Sequence, residues 1–158
     1  MSAERAASVF DRLLDDAPDR ATDEPRRPAE RVRMGKEALR RDLESLFNTP
    51  ASIEPAMRGR EEIETSLLRY GVVGFQGLDL ATVERRHALA RQLRDVIVLH
   101  EPRLRDVRVE VGGDHAEARS LRLRVVATAS FDEVDEPIAF DTVLDPAVRQ
   151  FRVERGST

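Results

Sequence analysis

The 158-residue chain has no cysteine, which removes disulfides, thiolate zinc sites and a cysteine nucleophile together. No run approaches the roughly 20 apolar residues needed to cross a bilayer. Glu4 and Arg5 precede a mixed segment rather than the apolar centre of a signal peptide. A cytoplasmic protein with no membrane insertion is therefore expected. An excess of basic charge is missing as well. The 26 Lys and Arg face 30 Asp and Glu, for a net charge of −4, and the bases are interleaved with acids, so nucleic acid has no general electrostatic hold on the chain. Lys36 is the single lysine. Arginine in every other basic position favours fixed, bidentate protein contacts over loose attraction to phosphate.

What is present suits one soluble domain: 41% of residues are apolar and 35% charged. Ala7, Phe10, Leu13 and Leu14 predict a short amphipathic helix over about residues 3–16. Pro18, Pro25 and Pro28, set among charged residues, predict an exposed connector up to residue 28. A single α+β domain is expected over residues 29–154, with 155–158 as a tail. Val32, Leu39, Leu43, Leu46 and Phe47 form one stripe of a helix that ends at Asn48-Thr49-Pro50, with Arg40, Arg41, Asp42 and Glu44 on its wet face. Ile63, Leu67 and Leu68 predict a second helical stretch, followed by a glycine-rich loop from Tyr70 to Gly77 that lacks the order of a dinucleotide-binding fingerprint. A third helix over about residues 80–100, carrying Val83, Ala90, Leu93, Val96, Ile97 and Leu99, is expected to be the most buried.

The period then changes from 3.6 to 2. Val107, Val109 and Val111 alternate with charge, Gly112-Gly113-Asp114 predicts a hairpin turn, and Leu121, Leu123, Val125 and Ala127 alternate on the return. An acidic turn over residues 132–137 leads to Ile138, Phe140, Thr142 and Leu144, and a last short strand is expected at residues 150–153. Helices first and strands second predict an α+β fold, with the helices on one face of a mostly antiparallel sheet.

Candidate catalytic chemistry is sparse. His87, His100 and His115 lack the spacing and acidic companions of a metal site or a nucleophilic triad. Asp132, Glu133, Asp135 and Glu136 lack the central glycine and distal glutamate of a calcium loop and read as a solvated turn. No metal and no cofactor are expected. The stiffest charged feature is Glu101-Pro102-Arg103, where proline fixes the corner and removes an amide donor between a carboxylate and a guanidinium. Glu101 is also the one acid placed unusually enough for a glycosidase. The neighbouring guanidinium, however, favours its anionic form, the wrong one for a general acid. A rigid, exposed elbow that docks through Glu101, Pro102 and Arg103 is expected instead. Phe151, Arg152 and Val153 form a charged terminal edge suited to accept a partner strand. Substituting the elbow charges, placing proline at residue 152, or deleting the residues after about Gln150 is expected to spare the fold.

Four segments, in this order and spacing, carry a family resemblance: Arg40-Arg41-Asp42-Leu43-Glu44-Ser45-Leu46-Phe47-Asn48-Thr49, then Ser66-Leu67-Leu68-Arg69-Tyr70-Gly71, then Glu101-Pro102-Arg103-Leu104, then Phe140-Asp141-Thr142. Together they resemble the phage baseplate wedge proteins that initiate the contractile tail sheath, some of which carry a lysozyme label. Ser8-Val9-Phe10-Asp11-Arg12-Leu13-Leu14 before the proline-rich connector is similar to the bacterial branch, the TssE subunits of type VI secretion. The sequence departs from the pattern at Pro50, at Arg69 and at Val72-Val73-Gly74. The resemblance implies a structural, non-catalytic role in a cytoplasmic baseplate docked at the inner-membrane complex. Its implied partners are the wedge subunits TssF, TssG and TssK and the sheath subunits TssB and TssC, with the spike VgrG and the tube Hcp further off. A peptidoglycan-cleaving hydrolase is the alternative of another class.

Overall fold

A computed structural model describes residues 27–51, 69–74, 80, 82–112, 120–131, 134–145 and 147–156. The expected helix over residues 3–16 and its connector, the helix carrying Ile63, Leu67 and Leu68, the Phe75–Gly77 part of the glycine loop, Gly113-Asp114, His115, and Asp132-Glu133 lie outside them. Among the described residues two helices precede four strands: α1 Pro28–Asn48, α2 Val83–His100, β1 Leu104–Val111, β2 Leu121–Phe131, β3 Val134–Asp145 and β4 Gln150–Arg155. The strands pair antiparallel in sequence order, β1-β2-β3-β4, so among the described residues both β1 and β4 are edges. The fold is α+β, as the change of period implies.

Helix α1 starts at Pro28, whose fixed φ and missing amide suit the first turn. It buries Gly35, Ala38, Leu39, Leu43, Leu46 and Phe47, a stripe with the 3–4 residue spacing of one helical face. The Thr82 side chain caps α2, which buries Leu89, Ala90, Leu93, Val96 and Ile97. Val83 and Leu99, expected on the buried stripe, are 49% and 39% exposed, and α1 rather than α2 carries the longer buried set. The reason is the position of the sheet. Helix α1 lies along β4, where the Phe47 and Phe151 rings meet at a centroid distance of 5.6 Å. Helix α2 leads directly into β1 at the other side and leaves one flank to solvent.

Leu123, Val125, Ala127, Ala129 and Phe131 of β2 pack with Ile138, Phe140 and Leu144 of β3, and with Phe151 and Val153 of β4, beneath the helices. Strands β2 and β3 continue in register to Phe131 and Val134, so Asp135, Glu136 and Pro137 are strand residues and not part of a wide acidic turn. Asp135 bonds Ser130 and Arg105, and Glu136 bonds Lys36, at 2.7, 2.5 and 3.0 Å respectively. Strand β1 contains a bulge between Arg105 and Arg108. There Asp106 takes φ 53°, a left-handed conformation that Asp tolerates better than most residues. The extra residue lets Leu104 and Val107, three positions apart, both face the core.

Gly35 and Gly71 are required by close approach. A Cβ at Gly35 would stand 2.5 Å from the buried Phe131 ring. One at Gly71, where φ is +110°, would stand 2.1 Å from the Thr49 carbonyl. The latter contact is part of a short parallel bridge between Pro50 and Val72, with the Val72 amide bonded to Thr49 O at 2.9 Å. The Asn-Thr end of α1 and the Tyr-Gly pair thus meet in space.

Candidate functional site

The elbow follows from the end of α2. The Glu101 amide bonds Ile97 O at 2.8 Å and closes the helix, and the Leu104 amide bonds Glu101 O at 3.1 Å, turning the chain within three residues into β1. Pro102 occupies the outside of this turn and is exposed. Its charged neighbours point inward. Arg103 grips Glu101 with both prongs, Nε to Oε1 and Nη2 to Oε2, each 2.6 Å, and Nη2 also donates to Asp42 Oδ2 on α1. Glu101 is only 6% exposed. Burial by itself would push the Arg103 pKa down, but the hydrogen bonds and charges of Glu101, and then Asp42, reverse this and raise it. The exposed ion-pair elbow expected from the sequence is therefore corrected: Glu101 and Arg103 form a buried clamp onto α1, and Pro102 is what the corner shows to solvent. Both Glu101 oxygens are held by a guanidinium, so the one candidate acid for a hydrolase has the arrangement of a structural anion.

At the opposite edge of the sheet, β4 directs the backbone groups of Phe151 and Val153 away from β3. This follows from the Gly156 amide, which bonds Ala139 O on β3 at 2.9 Å and sets the alternation along the strand. Three α1 side chains meet those outward groups. Asn48 Nδ2 donates to Phe151 O, and Asn48 Oδ1 accepts from the Phe151 amide, both at 2.8 Å. Glu44 Oε2 accepts from the Val153 amide and Arg40 Nη1 donates to Val153 O, both at 3.1 Å. Arg40 is in turn held by Glu44 at 2.9 Å and by Glu37 at 2.7 Å. The hydrogen bond to Glu37 chiefly raises the Arg40 pKa, and the same bond lowers that of Glu37. Arg40, Glu44 and Asn48, spaced four apart on one helix, reproduce the donors and acceptors that a neighbouring strand would supply. The charged residues assigned to a wet face are turned partly onto the sheet edge and, through Asp42, onto the elbow.

The other edge differs. The Gly112 amide bonds Arg122 O at 2.8 Å, so Glu110 and Arg108 face β2 while the backbone groups of Val109 and Val111 face outward. Among the described residues no side chain bonds those outward groups. The Val109 and Val111 side chains are half-buried against the helix-side core.

A groove of about 290 Å³ separates α2 from the 69–74 segment, lined by Arg69, Val73, Arg91, Gln92 and Asp95. Gln92 Nε2 closes one wall by donating to Val73 O at 2.7 Å. His100 bonds Arg69 O at 3.0 Å through Nε2 and meets Tyr70 edge-on, a structural role at the helix end. His87 is exposed on α2. Among the described residues no group of His, Asp and Glu gathers in the manner of a metal site.

Sequence reasoning singled out Glu101, Pro102, Arg103, Phe151, Arg152 and Val153 as partner-facing. The structure places the first three at the α2–β1 corner and the last three on β4, the opposite edge. It adds Arg40, Asp42 and Glu44, which were read only as helix surface, and Asn48, which was read only as part of the helix end. The signal for Arg40, Glu44 and Asn48 was the i, i+4, i+8 spacing of hydrogen-bonding side chains ending in an asparagine, a polar row on a helix that otherwise packs by its apolar stripe; Asp42 carried no such signal.

Over 104 residues, 66% of this chain and 69% of the relative, the sequence is 29% identical to the anti-adapter protein IraD of Escherichia coli O45:K1. The family described as baseplate wedge protein gp25 matches residues 33–133, a span that takes in α1 from Arg33 with its polar row, the Pro50–Val72 bridge, α2, the Glu101–Arg103 elbow, β1 and β2. By that match the chain belongs to the gp25 family of baseplate wedge proteins.

Proposed function

We propose that the protein is the TssE-type subunit of a type VI secretion baseplate, that it seats in the wedge through the elbow side of the molecule, and that it starts the contractile sheath by accepting a strand of the first sheath ring into its own sheet. Membership of a baseplate wedge family supports the structural role. The observation that supports the mechanism is an antiparallel sheet whose four strands lie in one layer and which ends, among the described residues, in an edge whose outward backbone groups have no bonding partner. In this reading Pro102 is the exposed knuckle that meets TssF, TssG or TssK. The buried Arg103 clamp holds that knuckle in shape before docking, so little conformational freedom is lost on binding. TssB and TssC supply the added strand. No catalysis is required, and the protein acts in the cytoplasm at the inner-membrane complex.

Deletion of the gene, with fluorescently tagged sheath as the readout, tests the role. Loss of sheaths on deletion and their return on complementation are expected, whereas unchanged sheath numbers would refute it. Incubation of the purified protein with peptidoglycan tests the hydrolase alternative. No turnover is expected, because both oxygens of Glu101 are engaged, each at 2.6 Å, by the one Arg103 guanidinium. The similarity to an anti-adapter supports a second reading, a protein that acts by occupying an adapter. It predicts co-purification with an adapter in place of wedge subunits.

A further inference from the structure

We infer that β1, not β4, is the edge that takes the incoming strand, and that its occupant is an extended sheath segment with apolar residues alternating opposite Val109 and Val111 and a carboxylate opposite Arg108. This rests on the sheath-initiating role proposed above and assigns it a surface.

The two edges offer opposite chemistry. On β4 the outward amides and carbonyls of Phe151 and Val153 are all bonded to Asn48, Glu44 and Arg40 at 2.8 to 3.1 Å. A strand arriving there would have to displace α1, which is also held by Phe47 against Phe151 and by the buried stripe under the sheet. On β1 the outward groups of Val109 and Val111 have no such partner among the described residues. Their pairing with an extended segment would leave the β1–β2 ladder intact, because that ladder uses the inward groups of Glu110 and Arg108.

Side-chain chemistry narrows the occupant. Val109 and Val111 are half-buried at the margin of the core, so apolar residues at alternate positions of an added strand would continue the helix-side layer by one more strand. On the other face Arg108 is exposed, its β2 neighbour in register is Val126, and it has no ion partner among the described residues. An acidic residue directly across from it gains a cross-strand pair that none of the described residues supplies. The bulge at Asp106 ends the regular edge at Arg108 and twists the chain beyond it. That limits the open stretch to residues 108–111 and disfavours long, indiscriminate pairing.

The test uses full-length variants returned to the deletion strain. Val109→Pro removes an outward amide that β2 does not use, a place where an edge strand tolerates proline. It should melt within about 3 °C of the parent and co-purify with the wedge, yet give about tenfold fewer sheaths than Val109→Thr, which keeps the amide. Sheath numbers equal to those of Val109→Thr, in a variant that is folded and wedge-bound, would overturn the assignment to β1 while leaving the baseplate role standing. Unchanged sheath numbers in the deletion strain itself would remove the role and the assignment together. Should Val109→Pro melt far below the parent, Arg108→Glu decides: a several-fold loss of sheaths supports the β1 edge, and no loss refutes it.

Discussion

Arg103 shows how far a pair of neighbours can be understood before a third residue is known. Its stiffness and charge, and the presence of an acid two positions back, are visible in Glu101-Pro102-Arg103. Its direction is not, because Asp42, which turns the guanidinium inward, lies 61 positions away. The expectation that elbow variants fold normally is therefore reversed. Arg103→Ala strands a carboxylate that is only 6% exposed and should cost about 3–5 kcal/mol, read as a lower urea midpoint. Arg103→Lys should recover only part of this, since an ammonium cannot grip both oxygens of Glu101 at once. Thr142 runs the other way. Its hydroxyl sits in a side chain that is 0% exposed, with no hydrogen-bond partner among the described residues, so Thr142→Val should stabilise by about 1 kcal/mol in the same measurement. Glu37 supplies a pH signature. The Arg40 hydrogen bond holds its pKa below the ordinary 4.5, burial opposing and the Arg40 and Arg155 charges assisting. Its contribution to stability is present above pH 4.5 and fades as the pH falls through the lowered value. Carboxyl NMR titration should find Glu37 below 4.5 in the parent and nearer to it in Arg40→Gln.

Among the elements, α1 and β4 depend on each other most. The apolar stripe of α1 is readable from spacing alone, and so is the alternation of Phe151 and Val153, since periods of 3.6 and 2 are properties of local sequence. That the two pair through polar side chains is a tertiary fact. Nothing near residue 48 announces a partner 103 positions later. Asn48→Ala removes both bonds to Phe151 and should cost about 1–3 kcal/mol. In hydrogen exchange, the Phe151 amide should lose protection before the β2 and β3 amides do. The same register corrects the proline expectation at residue 152: the Arg152 amide faces β3 and belongs to the ladder, so Arg152→Pro should weaken the fold and is not a clean probe of an edge. Gly35→Ala, which on helix propensity alone would stabilise by about 1 kcal/mol, should instead destabilise. The new methyl would meet a Phe131 ring that is 2% exposed and has nowhere to move.

At the scale of the molecule, the order of helices before strands was enough to place it in the α+β class, because each apolar face must find another to cover it. The identity of the open edge was not legible, since an edge is defined by what fails to cover it and that depends on every other element. Removal of the residues after Gln150 follows as a global perturbation. It deletes Phe151 and Val153, which are 3% and 1% exposed, together with the partners of Arg40, Glu44 and Asn48. A truncated chain is expected to lose its cooperative thermal transition, where the sequence alone suggested a dispensable edge.

The bond between Asn48 and Phe151 has a consequence for biosynthesis. A ribosome releases α1 long before β4, and the bonds and ring contact that fasten the two span 103 positions. Until β4 emerges, the stripe from Leu39 to Phe47 has only part of its cover, and the nascent chain cannot close. Completion of folding is thereby tied to the synthesis of β4, so chains that stop before it would present an exposed apolar helix to chaperones and proteases.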